Sequence, residues 1–180
     1  LNDVDWTFTP NTNGGTAIDV QNNGSELTLD DSTVTINGTK RGMVMSVTAD
    51  SDENLAKINI LNGSVLNVSN VSGNGSNGGA WTVTDSTINM NGIGNHALSV
   101  DTLTVTDSVL NFDDIGYAAL YGENIVLNDG ADVQINNAGN ALPFQSTWDP
   151  TITYNYPVEL KNADSSMEIK TGAQIAITNC

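Results

Sequence analysis

A ten-residue pattern recurs along the chain at a fixed interval. Trp81-Thr-Val-Thr-Asp-Ser-Thr-Ile-Asn-Met90 aligns with Leu103-Thr-Val-Thr-Asp-Ser-Val-Leu-Asn-Phe112, so Asp107 follows Asp85, and Ser108 follows Ser86, by 22 residues. Ile125-Val-Leu-Asn-Asp-Gly-Ala-Asp-Val-Gln-Ile135 is the next copy, with Asp129 another 22 residues on and one residue inserted after the turn. Upstream copies are Leu27–Ile36 and Ile58–Val68, and downstream Val158-Glu-Leu-Lys leads through Met167-Glu-Ile to Gln174-Ile-Ala-Ile177. Self-similarity at such a period marks a repeat architecture, in which one small unit cannot bury its apolar face until a neighbour stacks on it.

Each copy reads as two short strands of alternating character joined by an Asx-Gly or Asx-Ser turn. Val, Ile, Leu, Met, Phe or Trp alternate with Thr, Asn or Ser, the period of a strand with one face buried. A third apolar segment follows most copies: Thr16–Val20, Met43–Val47, Ala97–Val100, Ala118–Tyr121 and Ala141–Phe144. Leu98, Leu120 and Leu142 are again 22 apart. Consecutive hairpins in an antiparallel sandwich or barrel would hold the paired strands. They give no reason for a third segment to return in phase. Three short strands and three turns per period do, and the expected fold is all-β, a right-handed parallel β-helix of three strands per rung at about 22 residues per rung. Residues 1–180 then form a single domain of such a solenoid.

The pattern resembles the right-handed parallel β-helix of the pectate-lyase-like superfamily over roughly residues 4–177. Within it, the chain is similar to the Thr/Asn-rich adhesive repeats of large bacterial surface proteins and to autotransporter passenger domains. The resemblance lies in the period and the strand–turn–strand units, not in a catalytic motif. It implies a secreted cell-surface location and a non-catalytic binding or stalk module of an adhesin, contacting host or matrix glycan or protein. It also raises the alternative of a polysaccharide-active enzyme, a lyase or hydrolase, and a pure spacer is a third reading.

Composition bears on these classes through what is scarce. Lys and Arg number 5 against 21 Asp and Glu, a net charge of −16. Five cations cannot neutralise a nucleic-acid backbone, so no nucleic-acid partner is expected. No apolar run reaches the length of a membrane-spanning helix, so no membrane insertion is expected. One Cys, the last residue, provides no disulfide framework. Lyases of the resembled superfamily need an Arg base beside Ca²⁺-binding carboxylates, and Arg41 is the one Arg here. Hydrolases of that fold need Asn-Thr-Asp, Gly-His-Gly and Arg-Ile-Lys motifs, and Gly94-Asn-His96 does not match. His96 reads as a surface turn residue and Asp113-Asp114 as a solvated turn. The chain is expected not to be an enzyme.

Three features remain as candidate sites. Asp85, Asp107 and Asp129 should stack at one corner, with Asp31 and Asn62 at the equivalent place. Such a column offers oxygen ligands to Ca²⁺; alternatively, each Asx side chain caps its own turn. A second column, Asn37, Asn91, Asp113 and Asn136 or Asn137, reads as a structural ladder of stacked amides. Two stretches break the rhythm, near 48–57 and 145–157. The second carries Trp148, Asp149, Tyr154 and Tyr156; binding residues favour such loops on a rigid scaffold, and exposed aromatic rings beside an acid suit sugar rings. Alternatively these rings fold back over the repeat. The chain lacks recognisable end caps, so a segment of a longer surface protein is expected, with weak end-to-end self-association through its open edges.

Overall fold

The computed structural model describes residues 1–9, 15–21, 24–46, 55–139 and 156–180. The described residues form strands and no helix. In chain order the strands are β1 (Asp5–Phe8), β2 (Thr16–Gln21), β3 (Glu26–Asp30), β4 (Thr33–Asn37), β5 (Arg41–Ser46), β6 (Lys57–Leu61), β7 (Val65–Val71), β8 (Ser76–Asn77), β9 (Ala80–Thr84) and β10 (Thr87–Ile93). They continue with β11 (Leu98–Ser99), β12 (Thr102–Thr106), β13 (Val109–Ile115), β14 (Leu120–Gly122), β15 (Asn124–Leu127), β16 (Asp132–Ala138), β17 (Val158–Leu160), β18 (Ser166–Ile169) and β19 (Gln174–Thr178).

Sequence neighbours do not pair. One sheet has the order β1-β4-β7-β10-β13-β16-β19, a second β18-β15-β12-β9-β6-β3, and two short sheets are β2-β5-β8 and β11-β14-β17. Each pairing is parallel and joins strands three places apart in the chain. Ile88 stands between Leu66 and Leu110, each 22 residues away, so the sequence period is the pairing register. The antiparallel hairpin alternative is thereby excluded for these strands.

The register explains the burial. A residue type recurring every 22 positions forms a column across the sheet, and the apolar columns face inward. Val34, Leu66, Ile88, Leu110 and Val133 make one column, each with no exposed surface. A parallel sheet is stable when both faces are supplied with partners, and here the inner faces share one continuous apolar cluster. Trp81 is 1% exposed within it, and its indole Nε1–H donates to the Gly78 carbonyl at 3.1 Å, so burial leaves no donor unpaired.

Polar columns hold the outer and corner positions. Asn111 donates to Asn89 at 2.8 Å and Asn89 to Asn67 at 2.9 Å through side-chain amides. The expected second column is present from Asn91 onward: Asn91 and Asn136 both donate to Asp113, at 3.1 and 2.6 Å, and Asn137 adds a third bond at 3.2 Å, whereas Ser69 stands between Asn37 and Asn91. Asp114 beside it has a positive φ of 55°, a turn conformation that Asp and Asn tolerate. A column of buried serines, Ser32, Ser64, Ser86 and Ser108, runs along another corner. The Ser86 N–H donates to Ser108 Oγ at 3.0 Å, while Ser108 Oγ donates to the Thr106 carbonyl at 2.6 Å. Each hydroxyl thus satisfies main-chain groups of a tight corner, where an unpaired buried N–H would cost about 1–3 kcal/mol.

Candidate ligand cleft

The third apolar segment builds the cleft. Leu98, Leu120 and Val158 are register partners in the sheet β11-β14-β17, with Leu98 and Leu120 fully buried. Alternation then turns Tyr121 and its partner Glu159 outward. The turns entering β11 and β14 bring up Asn95, His96 and Tyr117, the turn before β8 brings up Asn74, and Lys161 follows β17. Among the described residues, these seven line a cavity of about 540 Å³. That volume falls within the range of small-molecule sites.

Close approach of the backbone positions this wall. Tyr117 N–H donates to the Asn95 carbonyl at 3.2 Å, and Asn95 N–H to the Gly73 carbonyl at 3.1 Å. A Cβ on Gly94 would overlap the Ser72 carbonyl, so this approach needs glycine. His96 stacks on Tyr121 with centroids 4.5 Å apart and planes inclined by 20°, and Tyr117 lies 5.8 Å from His96. Lys161 Nζ lies 5.8 Å from the Tyr121 ring centre and bonds Asp101 Oδ1 at 2.6 Å. Asp101 is itself fixed by the Gly79 N–H at 2.7 Å.

Burial sets the charge states. Loss of solvent around the imidazolium, helped by repulsion from Lys161, lowers His96 to about 4, so its ring is neutral at pH 7. Burial also raises the Glu159 carboxyl and the Tyr117 phenol. Asn74 Oδ1 is a buried acceptor with no donor among the described residues. The cleft therefore offers neutral ring faces flanked by amides, a carboxylate and a fixed ammonium. Such a set stacks on the C–H face of a sugar and hydrogen-bonds its hydroxyls.

The sequence-derived candidates are placed as follows. Trp148, Asp149 and Tyr154 lie outside the described residues. Tyr156 is 60% exposed and is not among the seven residues of the cleft. His96, expected at a surface turn, lies in the turn before β11, where it is half-buried and ring-stacked. Asp85 and Asp107 occupy one corner, at φ 48° and 46°, as does Asp31 at 47°. Asp129 enters that corner but does not fill it alone. Val109 pairs with Asp132, which aligns Gly130, at φ 70°, with Asp107 on the outgoing side. The inserted residue makes this a two-residue turn, as at Asn62-Gly63, and Asp129 Oδ1 accepts from the Gly130 N–H at 3.1 Å. Among the described residues, no group of three or more His, Cys, Asp or Glu is placed to hold a metal ion.

His96 and Tyr121 are 25 positions apart and so fall outside the repeat phase; no period search would join them. The available signal was Tyr121 itself, an aromatic at an outward position of a repeated strand. No protein family, curated protein or solved structure matches the chain.

Proposed function

We propose that the four sheets are faces of one right-handed parallel β-helix, with three strands per rung and about 22 residues per rung. We infer that this β-helix is a non-catalytic binding or stalk module of a bacterial cell-surface adhesin, acting outside the cell. In this reading it contacts host or matrix glycan or protein through the cleft at Tyr121. The observation that carries the reading is the neutral aromatic wall of His96, Tyr117 and Tyr121 beside amide and carboxylate groups. The four parallel sheets supply a rigid support for it.

The test is a glycan array probed with the labelled chain and with Tyr121→Ala. Retention of a defined set of glycans by the native chain is expected, weakened about tenfold or more in the variant, which is a loss of about 1.4 kcal/mol. No retention at all would leave the spacer reading, and equal retention by the variant would move binding away from the cleft. Glu159 favours the enzymatic alternative in one respect, because burial shifts its carboxyl upward, the direction in which a general acid is tuned. Release of shortened glycan from the array in place of retention would decide for that alternative.

A further inference from the structure

The charges of the cleft do not cancel. Glu159 and Lys161 stand two residues apart and both line the cavity. Lys161 is committed: its Nζ donates to Asp101 Oδ1 at 2.6 Å, and the Gly79 N–H holds Asp101 Oδ2 at 2.7 Å. That ammonium therefore has its counter-ion. Glu159 has no charged partner among the described residues, although it is half-buried beside Tyr121, its register partner. Loss of solvent shifts its carboxyl upward, with no cation offsetting the shift. The uncompensated formal charge of the cleft is thus negative. Hydrogen bonding is uneven in the same sense. Asn74 Nδ2 donates to Asn77 Oδ1 at 3.4 Å, while Asn74 Oδ1 is buried with no donor among the described residues. The ammonium and this amide N–H are already used, so the wall has acceptors to spare and needs a positive donor.

Charge then separates three kinds of sugar. A sugar acid would add a second carboxylate beside Glu159, in a chain of net charge −16. A neutral sugar would cover the Glu159 carboxylate without pairing it, and burying an unpaired charge is unfavourable. A sugar with a free amine brings an ammonium to that carboxylate, and a charge-assisted hydrogen bond is about twice as strong as a neutral one. The field of the whole chain also draws a cation in and repels an anion. Lys161 opposes positive charge at His96, so the place for the amine is on the β17 side of the rings. We propose that the cleft selects glycans carrying an unacetylated amino sugar, with the sugar ring against the aromatic wall and its ammonium on the Glu159 carboxylate. This rests on the glycan reading of the cleft and narrows it to one chemical class. Glu159 is then the residue that sets specificity.

Isothermal titration calorimetry at neutral pH tests the assignment with three short oligosaccharides of one linkage. These are β-1,4-linked glucosamine, its N-acetylated form and the glucose form that lacks the nitrogen. The native chain should bind the amine form about tenfold or more tighter than either of the others. Glu159→Gln keeps the size of the side chain and removes its charge. It should bring the amine form down to the level of the other two, whose own binding should not change, and a native-like melting curve checks that the variant is folded. Equal binding of the three forms by the native chain overturns the amine assignment and leaves the glycan cleft in place. An amine preference that survives Glu159→Gln overturns it too. Binding of none of the three also overturns it, and the glycan array then decides the cleft separately.

Discussion

Trp81→Ala should lower the stability of the folded chain by about 3–5 kcal/mol, the range for removing a large aromatic from a packed core. Trp81 is fully buried between Ile58 and Leu103, its partners in the neighbouring strands. Alanine in its place would leave a void lined by both neighbours and would free the Gly78 carbonyl that the indole now engages. Domains of ordinary size hold about 5–15 kcal/mol in total, so this one change removes a large share. In a stacked repeat the loss falls on two interfaces at once, since each strand contacts only its neighbours. Urea unfolding followed by far-ultraviolet circular dichroism measures it. Thr82→Ala, one residue on and exposed, is the matched control, with an expected change within about 0.5 kcal/mol. Equal losses at both positions would mean that the inward and outward faces are misassigned.

Gly94→Ala is the second large effect, and it acts on fold and cleft together. The added methyl would meet a main-chain carbonyl, that of Ser72, which cannot swing aside as a side-chain tip can. Overpacking of this kind costs about 1–3 kcal/mol. The Gly94 N–H donates to the Val71 carbonyl at 2.7 Å, so relief by moving the strand would break a pairing bond. Asn95 and His96 follow directly and Gly73 and Asn74 lie opposite, so the strain is delivered to the cleft wall. A lowered melting temperature together with weakened glycan retention is expected. A variant with native stability would show that the two segments are not in such close contact.

Much of the fold was legible because a 22-residue repeat has few ways to bury its apolar positions. The alternation at Trp81–Met90 and Leu103–Phe112 fixed which side chains face inward. The return of Leu98 and Leu120 in phase pointed to a third strand. The amide column through Asp113 was readable for the same reason, since repetition makes like residues neighbours. The corner at Asp129 was less so. A one-residue and a two-residue corner look alike until both flanking strands are registered, and the insertion shifts Gly130 into the place expected for the acid. The cleft was not legible as a unit. Its residues come from several turns and strands, Asn74 through Lys161, and its central ring pair joins positions outside the period. Three of the four buried serines, Ser32, Ser86 and Ser108, were visible as a repeated Asp-Ser, but their bonds depend on how close successive corners lie.

Parallel pairing at a step of 22 residues underlies every other claim, and nuclear Overhauser contacts between backbone protons test it most directly. Asn89 sits between Asn67 and Asn111 in the register. Its backbone amide proton should show inter-strand contacts to one neighbouring segment and that of Met90, the next residue, to the other, each 22 residues away, with no close contact between α-protons across the pairs, as parallel strands require. Close α-proton pairs between strands adjacent in sequence, such as β9 with β10, would mean antiparallel hairpins and would contradict the account.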